Sequence, residues 1–153
     1  MKLISLAATA VAVMMTTTAA FAAEATVNRL YVLDCGHTHL LDQARFISPG
    51  VNVGQPIDLL NSCYLMRHGK HWLIWDTGHP DAITGQPPNS GPIQSTRTIT
   101  LASQLQKLGV KPTDIKYVVI SHTHSDHSGN VDLFQGVPVL MQKAEYDAAF
   151  APV

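Results

Sequence analysis

Three histidines and an aspartate crowd into six consecutive positions, His122-Thr123-His124-Ser125-Asp126-His127. In an extended segment, residues two apart point to the same side, so His122 and His124 can aim two imidazoles at one point. Beyond them the chain must turn, helped by Gly129, and the turn brings Asp126 and His127 round to the same region. Neutral imidazole and carboxylate are good ligands for zinc and also suit iron or manganese. No thiolate stands in the cluster to favour a purely structural zinc site. A polar surface loop accounts for one histidine, but not for this density directly after an apolar run. The expectation is a metal site with His122, His124, Asp126 and His127 as its ligands.

Ligands of this kind need a rigid mount. Residues 115–121, IKYVVIS, are a β-branched run that reads as a buried strand, with the histidine cluster at its carboxyl end. Residues 62–78, SCYLMRHGKHWLIWDTG, read as two strands joined at His68-Gly69-Lys70. The second of these, apolar without alternation over 72–75, is expected to be covered on both faces and runs into Asp76-Thr77-Gly78. Residues 29–34 alternate as a strand, whereas the polar, Gly- and Pro-bearing stretch 36–56 reads as a long loop. The stretch 77–99, rich in Gly, Pro, Ser, Thr, Asn and Gln, reads as a mobile surface loop. Leu101, Leu105 and Leu108 then repeat with helical spacing, with Thr98 as the expected N-cap and Gly109 as the terminating glycine. After the cluster, a short helix at 131–134, a strand at 137–141 and a helix at 143–150 are expected. Alternating strands and helices predict an α/β layered domain, in which ligand sites gather at the carboxyl ends of strands.

Composition narrows the partners. Ten Lys and Arg against 11 Asp and Glu leave a net charge of −1, with no basic patch for nucleic acid or an anionic membrane surface. A small-molecule substrate is expected instead. Lys2, the apolar stretch 3–15 and Ala20-Phe21-Ala22 have the layout of a signal peptide over residues 1–22, which predicts a periplasmic or secreted chain beginning near Ala23. The apolar stretch is shorter than the roughly 20 residues of a bilayer span, so no stable membrane anchor is expected after cleavage. Cys35 and Cys63 can form a disulfide in an oxidising compartment or stay as two buried thiols. The free-thiol state is the expectation taken to the structure.

At His122-x-His124-x-Asp126-His127 the chain resembles the metallo-β-lactamase superfamily, whose H-x-H-x-D-H signature it matches without substitution. The similarity runs from about Leu30 onward. Within the superfamily, LYVLDCG, NSCYLMRHGKHWLIWDTGHP and VVISHTHSDHSGN look most like the N-acyl homoserine lactone hydrolases. This resemblance implies an αββα sandwich and a centre of two zinc ions, with His122 and His124 on the first and Asp126 and His127 on the second. Asp76 is then either a hydrogen-bonding support for the metal loop or a plain strand-end turn former. A metal pair about 3.5–4 Å apart lowers the pKa of a shared water, supplies hydroxide to a carbonyl and steadies the leaving alkoxide. Asp126 would pass a proton to the departing oxygen. For a lactone, the outcome is ring opening.

The resemblance also implies a second, similar half that gives each metal another histidine and a bridging aspartate. No histidine follows His127, and Asp132, Glu145 and Asp147 read as solvated helix residues. Residues 23–153 are therefore expected to form the N-terminal half of the sandwich, with one apolar sheet face open to self-association. Whether such a half is active alone is left open. The alternatives are an exported, non-catalytic metal-binding module and a hydrolase of β-lactams, thioesters or phosphodiesters. His37 and His39 are expected as surface residues of the early loop, and His68 and His71 as solvated flanks of a turn. His79 is expected near the cleft.

Overall fold

The computed structural model describes residues 27–151, so the expected signal peptide and its cleavage point lie outside the described residues. Six strands build one mixed sheet: β1 (Val27–Leu40), β2 (Ile57–His68), β3 (His71–Trp75), β4 (Ile93–Thr96), β5 (Ile115–Val119) and β6 (Val139–Leu140), in the order β4-β1-β2-β3-β5-β6. β1 pairs antiparallel with both β2 and β4, and β2 turns into β3 through the expected hairpin, with His68 opposite His71. β3 and β5 are parallel, as are β5 and β6. Consequently β3 and β5 point their carboxyl ends, and the polar segments that follow, to the same edge. This is the α/β architecture the sequence predicts.

Helix α1 (Leu101–Lys107) lies on one face of the sheet, where Leu101 and Leu105 pack with Leu33, Leu65, Ile74 and Val118 in the buried core. Its N-cap is Thr100, whose side chain accepts from the Ser103 amide at 3.0 Å, and not the expected Thr98. Asp81 takes up further free amides of the first turn, those of Leu101 and Ala102, so the helix start is fixed from outside its own sequence. Gly109, at φ +70°, ends the helix as expected. A second helix, α2 (Ser125–Ser128), is a single turn inside the histidine cluster, and α3 (Lys143–Ala149) closes the described chain.

Four further expectations about the strands, the loops and the cysteines change. The first strand runs on through Leu40, so the opening residues of the stretch read as a long loop, 36–40, are strand, and the second strand begins at Ile57 instead of residue 62. A register shift between Asp34 and His37, with Gly36 at φ +108°, breaks the alternation that would have revealed it. His37 and His39 accordingly sit on β1, part-exposed, beside Asp34 and Asp58. The stretch 77–99 is no plain surface loop: it contains β4, and Thr77 and His79 are buried, as is Arg97 just beyond it. Polar side chains anchor this segment, which hydropathy cannot register.

Third, β3 is covered on one face only. Ile74 is fully buried while Trp75 is 41% exposed. Across the strands, Val32, Tyr64, Trp75, Val119 and Leu140 are successive register partners, an apolar row on the face opposite α1. The run lacks alternation because both faces are apolar, although only one is packed among the described residues. Fourth, Cys35 and Cys63 are joined in a disulfide between β1 and β2, not held as free thiols. Both are fully buried, with the main chain of the 76–78 turn packed directly against Cys35.

Candidate metal centre

The edge where β3 and β5 end carries two polar turns locked together by their backbones. Asp76 adopts φ +58°, a left-handed conformation that Asp tolerates better than most residues. The Thr77 amide and hydroxyl both donate to the His127 carbonyl, and the Gly129 amide donates to the Gly78 carbonyl at 2.9 Å. Asn130, almost fully buried, donates from its side chain to the carbonyls of Thr77 and His79. A Cβ on Gly129 would stand 2.5 Å from Gly78 O, Pro80 N and Ser125 O, so only glycine allows this approach.

Within this frame the imidazoles are individually oriented. Asp76 Oδ2 lies 2.8 Å from His127 Nδ1 and accepts from the Ser121 hydroxyl at 2.8 Å, while Oδ1 accepts from the Ser121 amide at 2.7 Å. Because the carboxylate only accepts, His127 carries its proton on Nδ1 and turns Nε2 outward. Ser121 Oγ, its hydrogen committed to Asp76, can only accept from His122 Nδ1 at 3.2 Å, which leaves His122 Nε2 without a hydrogen in the same way. Of the two roles open to Asp76, the hydrogen-bonding support is the one its contacts describe. Ser121 was missed in the sequence, where a serine beside a histidine motif has nothing to single it out.

Among the described residues, His122, Asp126 and His127 form a group whose ligand-type atoms all lie within 4.8 Å of one another. His127 Nε2 is 3.3 Å from Asp126 Oδ2. His124, at the N-cap of α2, brings Nδ1 to 3.1 Å from His122 Nε2. Two nitrogens on a tetrahedral zinc with bonds of about 2.0–2.1 Å are themselves about 3.3 Å apart, so these separations suit ligands around a cation. Three of the four expected residues thus meet at one spot, His122 standing with Asp126 and His127, while His124 lies outside that group and reaches it through its contact with His122. The donor set of imidazole nitrogens and a carboxylate fits zinc, and fits iron or manganese as well.

Beside Asp126 and His124 opens a cavity of about 320 Å³. Leu40, Phe46, Leu59 and Ile93 give it an apolar wall, while Thr38, Asn61 and His79 add polar groups close to Asp126. His79 is where the sequence suggested, near the cleft, but buried. Burial pushes its imidazole pKa down, against the opposing pull of Asp126, and Arg97, His127 and His37 lower it further. Arg97 is itself buried, and burial lowers its pKa despite Asp81, whose Oδ1 is 3.2 Å away, and Asp34. It donates to the carbonyls of His79 and Ile99, holding the cavity wall to the start of α1.

Glu145 departs from its expected role as a solvated helix residue. Its Oε1 accepts from both the amide and the hydroxyl of Thr123 at 2.7 Å, tying α3 to the middle of the histidine cluster. These bonds from Thr123 hold the Glu145 carboxyl below its ordinary pKa.

Comparison with known proteins identifies relatives of the same fold. An N-acyl homoserine lactonase of a Bacillus species is 30% identical over 132 residues, 81% of this chain and 52% of the relative. A lactonase of Agrobacterium fabrum is 29% identical over 136 residues, 80% of this chain and 49% of the relative. The chain therefore spans about half the length of the curated relatives it matches. Among solved structures, a quorum-quenching N-acyl homoserine lactone hydrolase superposes with a TM-score of 0.69 at 27% identity, over 83% of this chain and 51% of the other. Another, with N-hexanoyl-L-homoserine bound at its catalytic metal centre, gives 0.67 at 28% identity over 83% and 53%. Residues 57–151, from the second strand through the last helix, match the metallo-beta-lactamase superfamily, and the chain belongs to it.

Proposed function

We propose that this chain supplies His122, His124, Asp126 and His127 to a two-zinc centre that hydrolyses a lactone. The observation that carries the reading is the meeting of His122, Asp126 and His127 within 4.8 Å at the mouth of a partly apolar cavity. When bound, a metal pair supplies Lewis acidity for the ester carbonyl and an acidified water. The protein's own groups do the rest. Asp76 and Ser121 hold His127 and His122 with Nε2 presented, which keeps the ligand set preorganised. Leu40, Phe46, Leu59 and Ile93 accommodate an apolar substituent of the ring and keep water from it. As water adds to the acyl carbon and the ring C–O bond breaks, Asp126 takes up the water's proton and returns it to the ring oxygen, giving a hydroxy acid.

The lactone is preferred over β-lactams, thioesters and phosphodiesters because relatives similar in sequence are lactonases and because the cavity pairs a polar floor with an apolar wall. Residues 1–22 complete the reading as an export signal, which places residue 23 onward in the periplasm or outside the cell. The Cys35–Cys63 disulfide supports this, since such bonds persist in oxidising compartments.

The test is zinc stoichiometry together with turnover of a lactone, a β-lactam, a thioester and a phosphodiester, for the chain and for His122→Ala/His124→Ala. Zinc bound through the cluster and lactone opening, both lost in the variant, are expected. Tight zinc with no turnover of any substrate would identify a non-catalytic metal-binding module instead, and turnover without the lactone would reject the substrate class.

A further inference from the structure

A one-way chain of hydrogen bonds runs from the buried wall of the cavity to Asp126. Asn61 Nδ2 lies 2.9 Å from Asp126 Oδ2, Thr38 Oγ1 is 3.0 Å from Asn61 Oδ1, and His79 Nε2 is 2.9 Å from Thr38 Oγ1. The carboxylate at its end can only accept, so Asn61 must present its amide nitrogen there and its oxygen to Thr38. Thr38 has one hydroxyl hydrogen, which it gives to Asn61, and so it must accept from His79. Every rotor in the series is assigned by the next, and the order of donors cannot be reversed without placing a lone pair against a lone pair. Thr38 and His79 are buried, which makes an unmade bond there costly and the arrangement stiff.

We propose that Asn61 is a positioning residue for Asp126, set in its amide orientation by Thr38 and His79, and that it fixes the carboxylate in the rotamer that binds metal. Asp126 is half-buried in α2, and the His127 Nε2 that stands 3.3 Å from its Oδ2 carries no hydrogen in the tautomer set by Asp76 and so donates nothing to it, whereas His122 and His127 are pinned through Ser121 and Asp76. The Asn61 bond gives Asp126 the equivalent restraint from the opposite side, from β2 rather than from the metal turn. One Oδ2 lone pair is occupied by Asn61, which leaves Oδ1 and the remaining Oδ2 lone pair for a cation. Asn61, Thr38 and His79 come from three separate segments, so the restraint also couples the cavity wall to the ligand: a substrate that displaces Asn61 would disturb Asp126 directly.

This rests on Asp126 being a ligand, and the test separates the two ideas. Zinc affinity is measured by chelator competition on the full chain for wild type, Asn61→Ala, Thr38→Val, Thr38→Ser and Asp126→Asn, with the metal-free melting temperature as a check on folding. Loss of a residue that supports a ligand weakens metal binding by about 10–100-fold. Asn61→Ala is expected in that range, with a cooperative metal-free melt at a lowered temperature because the buried Thr38 hydroxyl loses its acceptor. Thr38→Val, which keeps shape but removes the hydroxyl, should weaken zinc in the same direction, and Thr38→Ser should restore it. Should Asn61→Ala fail to fold, the contrast between Val and Ser at position 38 decides the matter. Wild-type affinity in Asn61→Ala, or equal affinity in the two position-38 variants, alongside a loss in Asp126→Asn, overturns the role of Asn61 alone. Undiminished affinity in Asp126→Asn overturns the ligand reading and this inference with it.

Discussion

Asp76 Oδ2 and His127 Nδ1, 51 residues apart in sequence, stand 2.8 Å from each other at the carboxyl edge of the sheet. The contact exists because β3 and β5 run parallel and release their last residues side by side. Its effect is to fix one tautomer and one ring plane for His127, which leaves Nε2 facing Asp126.

Asp76→Asn tests that arrangement while preserving the left-handed backbone, which Asn also tolerates. An amide offers one acceptor oxygen where the carboxylate receives three donors, so at least one of the Ser121 and His127 groups loses its partner. Zinc affinity should drop by about 10–100-fold. The metal-free protein should lose about 1–3 kcal/mol, the cost of a buried polar group left unpaired. Chelator competition and urea unfolding check the two parts separately.

Gly129 and Gly109 make a matched pair for the close approach of the two turns. At Gly129 the backbone is helical, φ −63°, and space alone forbids a side chain. At Gly109 the backbone is left-handed, φ +70°, with nothing within 4 Å of an added Cβ. Gly109→Ala should therefore cost about 1–2 kcal/mol from conformational strain. Gly129→Ala should cost about 3 kcal/mol or more and weaken metal binding too, because the Thr77 and Gly78 contacts must separate. Equal destabilisation by the two would show that the turns are not in the contact described.

The disulfide predicts a redox-dependent stability. In the chain-entropy picture, joining residues 28 apart contributes about 3–4 kcal/mol. Cys35→Ser/Cys63→Ser should lose that amount, and somewhat more because each hydroxyl is buried where the sulfurs were. Thermal melts with and without reductant measure it: the wild type should respond to reductant and the double variant should not.

His79 predicts the acid limb of stability. Burial lowers its folded pKa below 6.5, so the folded state disfavours the protonated ring while the unfolded chain binds the proton freely. Its contribution is complete above pH 6.5 and declines as pH falls from there through the lowered folded value. His79→Gln, which can still donate to Thr38, should flatten the fall in unfolding free energy over that interval. An unchanged pH slope in the variant would assign the acid limb to other groups.

How much of this was legible in advance differs from residue to residue. The H-x-H-x-D-H turn, the strand before it, the hairpin around Gly69 and the helix through Leu101 and Leu105 all follow from local rules, since two-residue and helical periodicities are written in adjacent positions. The family resemblance is equally local, carried by contiguous motifs. The run of β1 through Leu40 was hidden by the bulge after Asp34, and the order in 77–99 by its polar composition, because its anchors Thr77, His79 and Arg97 are buried through hydrogen bonds instead of hydrophobicity.

The sequence by itself determined which side chains could hold a metal and that they would be released together at a strand's end. Only the tertiary structure decided what steadies them. Ser121, Asp76, Asn61 and Glu145 reach the cluster from four places in the chain, with Thr38 behind Asn61, and their pairing depends on strand register, on which edge of the sheet two strands share, and on a disulfide between β1 and β2. Hydrogen bonds between distant segments leave no periodic trace in a sequence, because their geometry is fixed only after the sheet has assembled.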